Sequence, residues 1–148
     1  MPPLLPGTAA PPIPSVELDK PTAVYFYKVT CPVCQLSAPV TETFERAYPG
    51  HVVGVGQDPQ EKLEQFSSEF AVTFPSLVDA PPYDVSNAYG ISVVPTLYLI
   101  EDGTVTDVAE SWDRTGFNRI SERLAASTGR EYAAISEEGD GLPAFRPG

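Results

Sequence analysis

The stretch Ala23-Val24-Tyr25-Phe26-Tyr27-Lys28-Val29-Thr30-Cys31-Pro32-Val33-Cys34 decides the reading of this chain. Its first five residues form an apolar, aromatic run of strand length, and Pro32 is the residue type that opens a helix, since a first-turn position needs no N–H. The stretch therefore predicts a buried strand that turns directly into a helix. Cys31 then falls at the helix N-terminus, where unpaired N–H groups and the helix dipole stabilise a thiolate, and Cys34 lies one turn further in, within reach of it. Two sulfurs so placed can cycle between dithiol and disulfide, the chemistry of an oxidoreductase that acts on other thiols.

Other uses of the pair fail on counting. Cys31 and Cys34 are the only cysteines and His51 the only histidine, too few for a closed Cys/His zinc site, so no metal is expected. A purely structural disulfide across so short a loop would remove little unfolded-state entropy. His51 has no evident partner in the sequence and is read as structural.

Outward from the motif, strands and helices alternate. A helix is expected from Pro32 to about Tyr48, kinked by the internal Pro39, with Leu36, Val40 and Phe44 on its buried face. A second strand at 51–55 and a helix at 59–70, with Leu63, Phe66 and Phe70 on one side, complete a β-α-β unit with a parallel pair. There follow a short apolar piece at 76–78, a Pro-Pro loop and a short helix at 84–89 stopped by Gly90. A hairpin of strands 96–100 and 105–109 then turns at Glu101-Asp102-Gly103, and a last helix runs from about 115 to 127, ending before Gly129. Trp112 is expected to cover the sheet or this last helix.

The organisation expected is a Pro-rich N-terminal extension (1–21), one domain (22–128) and a C-terminal tail (129–148). A length of 148 residues suits a single domain with a real core. The net charge of −11, from 20 acidic and 9 basic residues, speaks against electrostatic affinity for nucleic acid or anionic membranes. The N-terminus lacks the basic and apolar regions of a signal peptide, and no run reaches the length of a membrane span. A cytoplasmic location is the expectation if Met1 is the natural start, with export the alternative if the natural N-terminus was trimmed.

The same residues resemble the thioredoxin-like superfamily over about 22–128. The resemblance rests on Val24 to Cys34, on Pro39 five residues past the second cysteine, and on Val93-Val94-Pro95-Thr96 before a strand. It implies an α/β thioredoxin fold, a central mixed sheet flanked by helices on both faces. Pro95 would be a cis-proline facing the cysteine pair, and Val94 would offer backbone hydrogen bonds to a substrate chain. Together with Pro32 and Val33, these two residues form the expected substrate-binding set. The pieces Phe74 to Asp79, Tyr89-Gly90-Ile91 and Asp102 to Val105 resemble the redoxin branch, which holds the TlpA- and ResA-like reductases and the AhpC/TSA-related peroxiredoxins.

By that resemblance Cys31 would attack a partner disulfide and Cys34 would resolve the mixed disulfide. Lys28, three residues before Cys31, is a candidate stabiliser of the Cys31 thiolate. The reverse cycle would oxidise dithiols. No cofactor is implied beyond the redox-active Cys31–Cys34 disulfide. The partners would be protein disulfides or dithiols and an upstream thiol reductant.

Departures from the pattern are specific. Thioredoxin proper has a buried acid where this chain has Tyr25, and ResA-type proteins have a glutamate where it has Ser37, so the usual proton acceptor for Cys34 is not visible. Peroxide reduction is the first alternative function. The proline and threonine that peroxiredoxins place seven and three residues before their cysteine are here Val24 and Lys28. A non-catalytic thioredoxin-like binding module is the second.

Overall fold

The computed structural model describes residues 2–148. Five strands form one mixed sheet in the order β3-β2-β1-β4-β5: β1 (Thr22–Tyr27), β2 (Val52–Gly56), β3 (Ser76–Val78), β4 (Thr96–Glu101) and β5 (Thr104–Glu110). The pairs β1·β2 and β2·β3 are parallel, while β1·β4 and β4·β5 are antiparallel. Every residue of β1 is buried, which is why this central strand reads as an unbroken apolar run rather than an alternating one.

Alternate residues of β1 serve two separate cores. Ala23, Tyr25 and Tyr27 pack with α1 (Pro32–Ala47), α2 (Gln60–Glu69) and α4 (Arg114–Thr128). Val24 and Phe26 face the other way, where Val85 and Tyr89 of the short α3 (Asp84–Ala88) and its cap meet Ile13 of the N-terminal segment. Helices thus flank the sheet on both faces, as expected.

The positions of β1–β5 and of the four helices agree with the sequence reading to within a residue or two. Gly129 closes α4 in the left-handed region at φ 70°, and the hairpin turns through Asp102 (φ 50°) and Gly103 (φ 71°). One expectation needs correcting. The buried residues of α1 are Val33, Cys34, Ser37, Ala38, Thr41, Glu42 and Phe44, while Leu36 and Val40 are only partly buried. Three small or polar residues, Ser37, Ala38 and Thr41, lie on this face because it meets bulky aromatics of the sheet, and a count of apolar residues alone rotated the face by one position.

Both chain ends are ordered against this frame. The Gly7 amide donates to the Val105 carbonyl at 2.7 Å and the Val105 amide to the Thr8 carbonyl at 2.8 Å, which covers part of the exposed edge of β5. At the other end Phe145–Arg146 (β7) pairs with Trp112–Asp113 (β6). Arg114 and Asn118 hold the segment between, through Ser136 and the Leu142 carbonyl. Trp112 is fully buried against Phe117, with ring centroids 4.8 Å apart, and its indole donates to the Pro143 carbonyl. No helix among the described residues is long and apolar enough to cross a membrane.

Candidate active site

Cys31 is the N-cap of α1, in extended backbone at φ −82° and ψ 117°, followed by Pro32 in the first turn. Its Sγ accepts a hydrogen bond from the Cys34 amide at 3.3 Å, the contact through which a helix N-terminus favours an anionic sulfur. The same sulfur donates its S–H to the Val94 carbonyl at 3.5 Å. The Val94–Pro95 peptide is cis, as the resemblance implied, and so is Pro81–Pro82. Sequence positions 63 residues apart are in this way brought to one point.

The loop before Cys31 is fixed from both sides. The Val29 amide donates to Asp58 Oδ2 and the Val29 carbonyl accepts from Gln35 Nε2, each at 2.9 Å. On the opposite lip the Thr96 hydroxyl donates to the Val93 carbonyl and the Ser111 amide to the Pro95 carbonyl, both at 2.8 Å. Asp58, Gln35 and Ser111 escaped the sequence reading. Gln35 alone carried a signal, as the residue directly after the second cysteine.

The two cysteines, both free thiols, differ in their surroundings. Cys31 is half-buried and open to solvent on one side, whereas Cys34 is fully buried beneath it. Burial pushes the Cys34 thiol far above its ordinary range. The Lys28 backbone amide opposes this, the neighbouring Cys31 adds to it, and the Lys28 ammonium opposes it more weakly. Lys28 is exposed and makes no ion pair among the described residues, and its ammonium is the weakest of the influences on the Cys34 thiol.

Behind Cys34 sit the two hydroxyls that replace the expected acids. Tyr25 Oη lies 2.6 Å from Ser37 Oγ and donates to the Cys34 carbonyl at 3.2 Å, with both side chains fully buried. Burial first, and then the adjacent Cys34, raise the Tyr25 phenol well above its ordinary value, so it stays a neutral hydrogen-bonding group. Among the described residues no carboxylate hydrogen-bonds Cys34.

Of the residues between the cysteines, Pro32 lies on the surface and Val33 is turned into the core. His51 lies apart from the site, with Nδ1 2.6 Å from the Pro21 carbonyl. The arrangement offers one accessible sulfur at a helix cap, a second sulfur sheltered one turn deeper, and a backbone carbonyl beside the first.

A family model, AhpC/TSA, matches residues 14–108, from the N-terminal segment through both lips of the site. The chain belongs to the AhpC/TSA family. Within it, the chain is similar to the thiol-disulfide oxidoreductase ResA of Geobacillus thermodenitrificans (strain NG80-2), with 31% identity over 81 residues, 51% of this chain and 45% of that protein. The chain therefore matches about half the length of this curated relative.

Two solved structures extend the likeness. One is a secreted Mycobacterium tuberculosis disulfide oxidoreductase homologous to E. coli DsbE. It is 26% identical, with 73% of this chain and 82% of that one covered at a TM-score of 0.59. The other is the thioredoxin domain of a thiol-disulfide oxidoreductase from Bacteroides vulgatus, 19% identical, with 82% and 99% covered at a TM-score of 0.65. The fold is accordingly the thioredoxin fold, as the sequence resemblance implied.

Proposed function

We propose that this chain is a thiol-disulfide oxidoreductase whose redox group is the Cys31–Cys34 pair, working without a bound cofactor. The observation that carries the reading is the contrast within one helical turn: Cys31 accepts an amide N–H at the cap and is accessible, while Cys34 is fully buried directly behind it. The relatives described as thiol-disulfide and disulfide oxidoreductases support it.

In the reducing direction the Cys31 thiolate attacks one sulfur of a client disulfide, forming a Cys31–client mixed disulfide and expelling one client thiolate. Cys34 then loses its proton and attacks the Cys31 sulfur. The second client thiolate leaves, Cys31 and Cys34 join as a disulfide, and two electrons have passed to the client. Oxidation of a client dithiol is the same sequence reversed. Val94 and Pro95, with Pro32, form the surface against which the client sulfur is presented, and Lys28 favours the Cys34 thiolate at the resolving step. An upstream thiol reductant regenerates the reduced form.

Export is the location this reading favours, supported by the M. tuberculosis relative described as secreted. Fractionation that leaves the native protein in the cytoplasm rejects it.

The test of the activity is a trap. A Cys34→Ser protein should accumulate a client joined through Cys31, cleaved by dithiothreitol and absent when Cys31 is also replaced. A client retained equally by a chain lacking both cysteines would instead make this a binding module. Rapid consumption of hydrogen peroxide by the reduced chain, undiminished in Cys34→Ser, would make it a peroxidase.

A further inference from the structure

The last residues of the chain lie on the surface beside Val94. Phe145 pairs with Asp113 and Arg146 with Trp112, and the Gly148 amide donates to Ser111 Oγ at 3.0 Å. Ser111 is itself bonded to the Pro95 carbonyl. Gly148 rests so closely on the Val94 carbonyl that a Cβ at this position would collide with its oxygen. That oxygen is the one that receives the Cys31 S–H. An extended piece of polypeptide thus already runs along β6 and reaches the carbonyl adjoining the accessible sulfur.

The way this segment is held differs from the rest of the tail. Ile135 and Ser136 are buried and clamped by Asn118, whereas residues 144–148 are all exposed, Phe145 to 56%. A short surface strand attached by a few backbone bonds and no buried side chain is at the low-stability end of local opening.

We propose that the β6 edge and the Val94 carbonyl together form a docking surface for an extended polypeptide with a small residue opposite Val94, and that residues 145–148 occupy this surface until such a polypeptide displaces them. The oxidoreductase reading supplies only the identity of the partner, a client presenting its sulfur to Cys31. Main-chain pairing along a sheet edge gives such docking its affinity, and the contact at Val94 its selectivity for glycine or a similarly small residue. A tethered competitor acts at an effective concentration on the order of millimolar, so its removal raises the apparent affinity by the reciprocal of the fraction of time the surface is uncovered.

The experiment uses chains with Cys31→Ser and Cys34→Ser, so that no thiol takes part. Fluorescein-labelled, carboxymethylated insulin B chain, an unfolded polypeptide, is titrated into three forms and followed by anisotropy. The forms are the full chain, a chain ending at Ala144, and a full-length Gly148→Val chain whose side chain cannot rest on Val94. The shorter form keeps the Ala144 carbonyl bonded to the Arg114 amide and the Pro143 carbonyl bonded to Trp112, and Gly148→Val removes nothing. Both altered forms should bind at least about threefold more tightly than the full chain. Equal binding by all three, or binding by none, overturns the proposal. Failure of the exchange reading is seen separately, as failure of the cysteine-containing Cys34→Ser protein to trap a client.

Discussion

The lip of the site and the pocket one turn beneath it are built from the same short motif, yet they are opposite environments. At the lip, Cys31 has an amide N–H, a backbone carbonyl and solvent around its sulfur. In the pocket, Cys34 is enclosed by the sheet, with the Tyr25 and Ser37 hydroxyls behind it and no carboxylate bonded to it among the described residues. Three residues of helix separate a half-buried, accessible position from a fully buried one, and on the proposed reading this difference assigns attack to Cys31 and resolution to Cys34. Two thiols with equal surroundings would compete for both roles.

The comparison is broken most severely by removing the lip. Cys31→Ser should lower disulfide reduction by about 10³-fold or more, because the remaining thiol is both inaccessible and protonated. An insulin turbidity assay measures this, and residual turnover above a tenth of the parent's would mean that the pocket sulfur can attack by itself. Next in size is alkylation of the reduced chain near neutral pH. Iodoacetamide should modify Cys31 about 100-fold faster than Cys34, read by peptide mass spectrometry, and comparable rates would show that the pocket is open.

Stability should report the same difference. The unfolded chain ionises Cys34 in the ordinary thiol range, while the folded chain keeps it protonated well above that range. The unfolded state therefore loses its proton first. The contribution is intact below the ordinary thiol range and is lost as pH rises towards the folded-state value, with a limiting slope of about 1.4 kcal/mol per pH unit. The buried phenols Tyr25, Tyr27, Tyr89 and Tyr98 are displaced in the same direction, so the Cys34 share is read as the difference between the reduced parent and Cys34→Ser in urea titrations from pH 8 to 10. Parallel curves would remove it.

The smallest effect is expected from Tyr25→Phe, which leaves the Ser37 hydroxyl buried without its partner and should cost about 1–2 kcal/mol. A Ser37→Ala, Tyr25→Phe double replacement should recover part of that loss.

The five strands of the central sheet, the helices and both halves of the motif were legible because each depends on local pattern: apolar runs, periodic faces, and Pro or Gly at element ends. The pairing of Cys31 with Val94 was legible only through the family resemblance, since the intervening residues carry no signal that folds one onto the other. The orientation of α1 was misjudged by one position because Ser37 and Thr41, polar by type, are buried through bonds to Tyr25 and to a helix carbonyl. Asp58, Ser111 and Gly148 were not legible at all. Each acts through or upon the backbone of a distant loop, and neither residue type nor spacing announces such a contact. The ordered tail was hidden for the same reason, because its Pro- and Gly-rich composition describes a chain without periodicity whether or not it is bound to something.

The central claim is that Cys31 and Cys34 form one reversible two-electron couple. Equilibrating the chain in glutathione buffers of graded poise, quenching with acid and counting free thiols by alkylation mass shift tests it directly. The account predicts a single transition between a chain with both thiols modified and a chain with neither, at a potential within the range of about −270 to −120 mV spanned by such dithiols. A chain that keeps both thiols free at every poise, or that ends only as a glutathione adduct on Cys31, would contradict it.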